Sequence, residues 1–266
     1  MKQLKREETA LKVKTIHDEL VKQKDDLVLP RIPNADEMLL IQRWQEGSRS
    51  ADFAIEEDRR EAFQLLKKLH RTKETINWSG RDFLPYHSQF LKWQMRMMKF
   101  KSRVEELKQF LSYKDITAII QYGERALQQI EYERIDDSKQ LTLLHGDVVH
   151  HNFLWCSDNQ LRLIDFDLAH LGDADDEYIL WLHRVLPTID YNLNGLFEEL
   201  PELHEIEKEK LHRLKFPNEL LREWLYILDL PLGQQLIFLD YLYPYTERAL
   251  TYWGKLWYDS ERLARA

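Results

Sequence analysis

The sequence predicts an α+β protein in which a short part with two strands and one helix precedes a mostly helical body. Three patterns support this fold class. Apolar residues recur at helical spacing through long segments, two short apolar runs flank the turn PNAD at 33–36, and a hairpin pattern interrupts the helical body at 153–167. We therefore expect a small part over residues 1–46 and a large helical part over residues 47–266.

The small part begins with a helix. Over residues 6–23, apolar side chains recur at helical spacing among charged ones, at Ala10, Val13, Ile16 and Leu20. The runs LVLPRI at 27–32 and EMLLIQRW at 37–44 resemble strands, and QEGS at 45–48 closes the second.

The pattern of the large part predicts helices and one hairpin. Helical patterns cover about 57–71, 85–112 and 115–134, and a short strand lies in QLTLLHGD at 140–147. NFLW and QLRLIDFD flank the turn residues SDN, so we expect 153–156 to pair antiparallel with 161–165. From 176 onward the pattern is helical and aromatic, with expected breaks at five prolines: Pro187, Pro201, Pro217, Pro231 and Pro244.

The composition excludes several classes of protein. The 266 residues are 44% hydrophobic and 32% charged, as in ordinary globular proteins, and the net charge of −8 argues against a nucleic-acid binder. A single cysteine, Cys156, excludes an intrachain disulfide. No apolar run approaches the ~20 residues of a membrane span, and the first residues lack the apolar core of a signal peptide. We expect a cytoplasmic protein.

Two motifs concentrate the polar chemistry of the chain. HGDVVHHN occupies 145–152 and LIDFD occupies 163–167, so that Asp147 precedes Asn152 by five positions and Asp165 by eighteen. A phosphoryl-transfer site needs a carboxylate that accepts a proton and oxygen ligands that hold Mg²⁺ against phosphates. A hairpin sets its two ends side by side and can bring these groups to one place.

These motifs carry a resemblance to a known family. H-G-D-x-x-x-x-N, followed by I-D-x-D and by Gly-Asp at 172–173, resembles the aminoglycoside phosphotransferase and choline kinase family, relatives of protein kinases. LLKKLH at 65–70 is similar to the family's helix that ends in Leu-His, and LLIQRWQEG at 39–47 to its hinge strand. The resemblance runs over about residues 1–185.

The resemblance implies a protein-kinase-like fold with a reduced small lobe, and an ATP- and Mg²⁺-dependent phosphotransferase acting on a hydroxyl of a small molecule. It assigns Asp147 as the catalytic base and Asn152 and Asp165 as Mg²⁺ ligands. Asp167 would be a supporting carboxylate, and His145 would brace the loop by hydrogen bonds. The backbone of the hinge would meet the adenine, at Gln42, Arg43 and Trp44.

The sequence departs from the family at two positions near the motifs. Val149 stands where many members have a histidine, and Glu177 stands where an aspartate is usual. The eight glycines are scattered, so the chain has no glycine-rich phosphate loop. Either the small lobe is truncated in this chain or nucleotide binding is weak, in the range of roughly 1 mM.

The phosphate-binding lysine has two candidates. Lys2 and Lys5 both lie near the expected first strand, and Glu7 or Glu8 would be the partner on the following helix. The sequence leaves both choices open.

Two other functions remain open. A kinase-like protein without turnover would serve as a binding or structural module, as kinase-like proteins of bacterial spore coats do. A metal-dependent hydrolase would use His145, Asp147 and His151. His150 and His151 also suit zinc, but neighbours in an extended segment point opposite ways and rarely reach one ion.

Two charged segments allow alternative interpretations as well. WQMRMMKFKSR at 93–103 fits either a partner- or membrane-binding helix or, preferably, a solvated helix packed on the body. The acidic run DADDE at 173–177 could attract a cationic acceptor or stabilise the amino terminus of a helix.

Overall fold

The computed structural model describes residues 1–23, 26–130 and 141–265. Within this part the chain forms nine α-helices and seven short strands, which confirms the predicted α+β class. It divides into two compact units: Met1–His87 with Asp136–Trp181, and Ser88–Ile135 with Leu182–Ala266. The division into lobes at residue 46 stays a prediction.

The first unit contains all of the described strands, in three small antiparallel sheets. β1 (Lys2–Gln3) pairs with β2 (Leu39–Leu40), which sets Lys2 opposite Leu40. The second sheet has the order β3 (Arg49–Ser50), β5 (Phe153–Trp155) and β6 (Leu161–Leu163), and the third joins β4 (Thr142–Leu144) to β7 (His170–Gly172). The register Phe153↔Leu163 to Trp155↔Leu161 confirms the predicted hairpin.

Two helices and the start of a third complete the first unit. α1 (Glu7–Lys22) and α2 (Glu56–Arg71) lie where the apolar spacing predicted them, and α6 (Ala174–Val185) leaves this unit after Trp181. The buried Asp58 of α2 accepts hydrogen bonds from the guanidinium of Arg49 at 2.6 and 2.9 Å and from the indole nitrogen of Trp155 at 3.0 Å. This carboxylate therefore joins α2 to β3 and β5, and it holds the hairpin that precedes Asp165 against α2.

The predicted strand at 27–32 is wrong. The segment makes only isolated bridges, Val28 to Leu163 and Arg31 to Gln42, and the strand expected at 37–44 shortens to β2. Pro30 and Pro33 lack the amide hydrogens that a strand ladder requires. β2 pairs instead with β1, at the start of the chain.

The second unit is helical. Its core includes the rings of Trp93 and Phe216, which stack with centroids 4.8 Å apart, and the buried Trp224, whose indole nitrogen donates to Thr246 Oγ1 at 2.9 Å. Besides the end of α6, its helices are α3 (Gln89–Ser102), α4 (Val104–Leu107), α5 (Tyr113–Gln129), α7 (Leu193–Glu199), α8 (Asn218–Leu228) and α9 (Leu232–Arg265).

The predicted single helix at 85–112 is wrong, because it breaks at Arg103. The backbone there leaves the helical region at φ −108° and ψ 19°, and the guanidinium donates to the carbonyl of Leu228 at 3.1 Å. The helix expected at 115–134 is α5, but residues 131–134 lie outside the described part of the chain.

The expected break at Pro244 is also wrong, since α9 continues through it. Residues on both sides of the proline are buried, among them Leu242, Thr246 and Ala249. Their packing outweighs the roughly 3 kcal/mol cost of an internal proline. Pro187, Pro201, Pro217 and Pro231 lie at or just before the beginnings of helical segments.

Candidate active site

The loop between β4 and β5 carries the first motif. β4 ends at Leu144, and a 3-10 turn over His150–Asn152 leads into β5. Inside the loop the carbonyl of Asp147 accepts from the amide of Val149 at 2.9 Å, and the carbonyl of Val149 accepts from the amide of Asn152 at 3.0 Å. These bonds leave the side chain of Asp147 partly exposed at the surface of the first unit.

Asn152 holds Asp147 directly. Its side-chain nitrogen donates to the Asp147 carbonyl at 2.8 Å and to Asp147 Oδ2 at 3.3 Å, and the residue is only 3% exposed. Both contacts require the amide nitrogen to face Asp147. Within the described residues, the amide oxygen of Asn152 makes no hydrogen bond and can act as a ligand.

His145 connects this loop to the end of the hairpin. Its Nε2 donates to the carbonyl of Ile164 at 2.8 Å, and its Nδ1 accepts from the amide of Asp147 at 3.3 Å. The ring also packs on Phe166, with centroids 4.6 Å apart. Because both nitrogens are used and the residue is buried, His145 fixes the distance between the two motifs.

Asp165 begins a tight turn after β6. Its backbone is left-handed, with φ 67° and ψ 67°, which aspartate tolerates better than most residues. The carboxylate accepts from the amide of Asp167 at 3.4 Å and from Lys2 Nζ at 2.7 Å, and Lys2 also lies 2.8 Å from Asp167 Oδ2. Three charged groups therefore meet beside the loop: one ammonium and two carboxylates.

These charges shift each other's titration. Burial by itself would raise the pKa of Asp165, but the hydrogen bond and the positive charge of Lys2 hold it below the usual aspartate value. Burial would likewise lower the pKa of Lys2, whereas its hydrogen bonds to Asp165 and Asp167 raise it. Both groups are thus held in their charged forms.

The donor atoms fit a hard cation such as Mg²⁺. Asn152 and Asp165 offer oxygen ligands, which this ion prefers. Oδ1 of Asp167 is buried and makes no hydrogen bond with any described residue, so a further oxygen lacks a partner. Across the described residues, no group of three or more histidine, cysteine, aspartate or glutamate side chains is arranged to hold a metal, zinc included.

A buried acid–histidine pair holds the start of the loop. Glu177 on α6 accepts from the amide of Gly146 at 2.7 Å and from His70 Nε2, at the end of α2, at 2.8 Å. Complete burial would raise the pKa of Glu177, but the hydrogen bond and charge of His70 keep it below the usual value. The sequence singled out Glu177 as a departure from the family and as part of the acidic run at 173–177, and it did not predict this pair.

Gly146 allows the chain to pass close to the second motif. Its φ is +80°, and a Cβ at this position would lie 2.2 Å from the carbonyl oxygen of Leu168 and 2.9 Å from His170 Nδ1. Only glycine combines this backbone with this contact.

Lys12 is a further residue that sequence reasoning missed. Its buried ammonium donates to the carbonyls of Asp167 at 2.8 Å and Ala169 at 3.0 Å, so that α1 holds the turn that presents Asp165. Burial lowers the pKa of Lys12. The lysine lies beside the apolar stripe of α1, and no local pattern distinguishes it from a solvated one.

The two candidate lysines differ in position. Lys2 reaches Asp165 and Asp167, whereas Lys5 is exposed. Among the described residues, neither lysine forms an ion pair with Glu7 or Glu8.

The expected hinge follows β2. The side-chain amide of Gln42 donates to the carbonyl of Leu29 at 2.8 Å, Arg43 is exposed, and the ring of Trp44 is 84% exposed. The contact of this hinge segment with adenine stays a prediction.

The acidic run at 173–177 begins α6. Asp173 accepts from the amide of Asp175 at 3.1 Å, as a capping residue does, and Glu177 is used by His70 and Gly146. This geometry favours the helix-stabilising interpretation of the run.

No helix among the described residues has the length and apolar character needed to cross a membrane.

Solved structures of similar fold cover nearly the whole chain. An aminoglycoside phosphotransferase from Alicyclobacillus acidocaldarius subsp. acidocaldarius DSM 446 matches 98% of this chain and 86% of its own, with a TM-score of 0.72 and 14% identity. A choline/ethanolamine kinase family protein from Mesorhizobium loti matches 94% and 82%, with a TM-score of 0.55 and 13% identity. An amicoumacin kinase in complex with AMP-PNP, Ca²⁺ and Ami matches 91% and 78%, with a TM-score of 0.54 and 13% identity. These likenesses confirm the predicted kinase-like fold.

The sequence itself identifies the family. No curated protein matches this chain. Residues 34–189, more than half of the chain, match the family described as "Phosphotransferase enzyme family", and this range contains Asp147, Asn152 and Asp165. The chain therefore belongs to the phosphotransferase enzyme family.

Proposed function

We propose that this chain transfers a phosphoryl group from ATP, with Mg²⁺, to a hydroxyl of a small molecule. The observation that carries the proposal is the bond between Asn152 and Asp147. One amide fixes the candidate base through its nitrogen and keeps its oxygen available for a metal. Asn152 thus holds the base and is itself a metal ligand, which suits a reaction in which a hydroxyl and a phosphate must be brought together.

The proposed roles follow from the contacts. Asp147 accepts the proton of the acceptor hydroxyl, because its carboxylate is partly exposed and held by Asn152. Asn152 and Asp165 hold Mg²⁺, which when bound neutralises phosphate charge, and Asp167 adds negative charge beside them. Lys2, already between the two carboxylates, contacts phosphate oxygens.

Supporting residues keep these groups in place. His145 joins the loop to the hairpin end and takes no part in proton transfer, since both of its nitrogens are engaged. The backbone of Gln42, Arg43 and Trp44 meets the adenine.

The acceptor is a small molecule with a hydroxyl group. The similar solved structures are named for an aminoglycoside, for choline or ethanolamine, and for amicoumacin, which supports a hydroxyl acceptor and makes a cationic one the first to test. The acidic run at 173–177 does not add to this, because Asp173 caps α6 and Glu177 is buried.

The test is phosphoryl transfer from radiolabelled ATP to a panel containing choline, ethanolamine and an aminoglycoside. We expect labelled product only with Mg²⁺, and much less of it when Asp147 is replaced. A thermal-shift series with ATP, with and without Mg²⁺, tests binding separately. Nucleotide binding without transfer to any acceptor would favour the kinase-like binding module, and transfer at an unchanged rate in Asp147→Asn would refute the assigned base.

A further inference from the structure

A cleft in the second unit, remote in the sequence from the transfer motifs, is lined by basic side chains. α3 and α8 border an open cleft of about 500 Å³. Four cations face it: Lys92, Arg96, Lys99 and Arg222. In a chain with a net charge of −8, such a concentration of positive charge is unusual.

Asp229, the one carboxylate among the described residues that line the cleft, is already neutralised. Asp229 lies 3.2 Å from the ammonium of Lys99 and accepts a second, short hydrogen bond from Arg103. Two cations share its charge, so it does not offset the remaining ones.

The carboxylates behind the cleft are engaged as well. Glu219 pairs with Arg184 through a short contact and with Arg222 at 3.2 Å, and Glu223 pairs with Arg222 at 2.5 Å. Arg222 thus has two acidic partners, and neither glutamate forms an ion pair with Arg96.

Among the described residues, therefore, neither Arg96 nor Lys92 forms an ion pair with a carboxylate. Arg96 is half-buried and donates a short hydrogen bond to Asn218 Oδ1, a neutral amide oxygen. Burial, with the charges of Arg222 and Arg184, lowers the pKa of Arg96 although Glu219 and Glu223 oppose this. Desolvation by the surrounding protein atoms and the positive charge of Arg96 lower the pKa of Lys92 as well. A charge that is partly removed from water, as that of Arg96 is, is normally paired.

The remaining walls are apolar. Met95, 71% exposed, and Tyr226, 52% exposed, line the cleft beside the two cations. Methionine adapts to the shape of a ligand, and tyrosine offers a ring face. The basic and methionine-rich pattern of residues 93–103 thus lies partly on a concave surface.

We propose that this cleft binds a small organic phosphate ester, with the phosphate at Arg96 and Lys92 and an aromatic or apolar body against Met95 and Tyr226. A guanidinium can hold a phosphate through two parallel hydrogen bonds, and an adjacent ammonium adds a point charge. The proposal uses no residue of the phosphoryl-transfer motifs and does not rest on their proposed role.

The experiment uses the full chain and phenyl phosphate, titrated by calorimetry in phosphate-free buffer, with inorganic phosphate as the second ligand. We expect saturable binding of phenyl phosphate with a Kd on the order of 0.1–1 mM. Inorganic phosphate should bind at least about threefold more weakly, because it leaves the apolar walls empty. Saturating AMP-PNP with Mg²⁺ should leave phenyl phosphate binding unchanged.

Three variants locate the site. Arg96→Gln should weaken phenyl phosphate binding at least about tenfold, and Lys92→Met at least about threefold. The matched control is Lys101→Met, which removes the same charge from the same helix where the lysine pairs with Glu124 instead. It should bind as the unchanged protein does. Since Lys92 is exposed and forms no ion pair with any residue that the structure describes, Lys92→Met tests the site even if Arg96→Gln proves unstable.

Several results would overturn the proposal: no saturable binding, equal losses in Lys101→Met and Lys92→Met, or displacement of phenyl phosphate by AMP-PNP. A soluble ester must also be told from a lipid headgroup with the same phosphate. Vesicles of phosphatidylcholine with phosphatidic acid should not retain the protein. Retention without phenyl phosphate binding would assign the cleft to a membrane surface and refute a soluble ligand.

Discussion

The ammonium nitrogen of Lys2 lies 2.7 Å from Oδ1 of Asp165, so a residue at the beginning of the chain neutralises a carboxylate at the end of the hairpin. Lys2→Met should lower the free energy of unfolding at neutral pH by less than about 1 kcal/mol, because both side chains are partly exposed. Lys5→Met is the control, because it removes an exposed lysine that forms no ion pair within the described ranges.

The stability difference between the unchanged protein and Lys2→Met should depend on pH, because the pKa values of Asp165 and Lys2 are both shifted. The pKa of Asp165 is lowered below 3.8, so the stabilisation is complete above that value and is lost as the pH falls through the lower folded pKa. The pKa of Lys2 is raised above 10.5, so the stabilisation is also lost as the pH rises through that folded value. Urea denaturation between pH 7 and pH 3 should show the free energies of unfolding of the unchanged protein and of Lys2→Met converging as the pH falls. A gap that widens in acid would contradict the pairing.

Asp147→Asn tests the proposed base. The amide oxygen of asparagine can still accept from Asn152, so the loop should keep its shape while the group that accepts the proton is lost. We expect turnover to fall roughly 10²- to 10⁴-fold, with nucleotide affinity unchanged. Asp240→Asn, at an exposed position on α9, is the matched control and should retain full activity.

Asp165→Asn tests the proposed metal ligand. Asparagine tolerates the left-handed backbone at this position, so the turn should survive while the negative charge disappears. Calorimetry should show Mg²⁺·ATP binding at least about tenfold weaker, equivalent to about 1.4 kcal/mol. Binding of ATP without Mg²⁺ should change less. An equal loss in both titrations would mean that the carboxylate does not act through the metal.

Gly146→Ala and Gly254→Ala should change the free energy of unfolding in opposite directions. At Gly146 the new methyl group would meet the carbonyl of Leu168 and the backbone would be strained, so stability should fall by at least about 1–2 kcal/mol. Gly254 lies inside α9 with no atom near its added Cβ, so alanine should stabilise the protein by roughly 0.5–1 kcal/mol. Thermal melts of both variants decide the matter.

Glu177→Ala should cost about 3–5 kcal/mol, since it leaves His70 and the amide of Gly146 without their buried partner. Glu177→Gln should cost less, because an amide of similar shape can still accept from Gly146. Glu198→Gln, at an exposed position, controls for the change of residue type. A Glu177→Ala protein as stable as the unchanged one would show that the pair holds nothing in place.

The parts of the fold that sequence predicted well are local. The hairpin depends on a turn and two adjacent arms, and α1 and α2 depend on spacing within one helix, so each can be recognised in a few residues. The loop that carries Asp147 and Asn152 is local in the same sense.

What the sequence left open or missed depends on distant partners. Nothing near Lys2 distinguishes it from Lys5, and the contact of Lys2 with Asp165 depends on β1 pairing with β2 across some forty positions. The contact of His70 with Glu177 spans 107 positions, and neither residue has a local pattern that points to the other. The failure at 27–32 differs, since Pro30 and Pro33 already argued against a strand there.

Pro244 has a consequence for the motions of α9. Because proline has no amide hydrogen, the carbonyl of Asp240 loses its helical partner about a third of the way along α9. Before the proline, the large apolar side chains of Leu232, Leu236 and Ile237 are exposed, whereas after it Trp253 and Leu256 are buried.

Fewer buried contacts hold the stretch before the proline, and the interrupted ladder separates it from the stretch that follows. Its amide protons should therefore exchange with solvent deuterium through local opening, long before those around Trp253, which wait for larger unfolding events. We therefore expect α9, which is one helix in its geometry, to open as two separate segments.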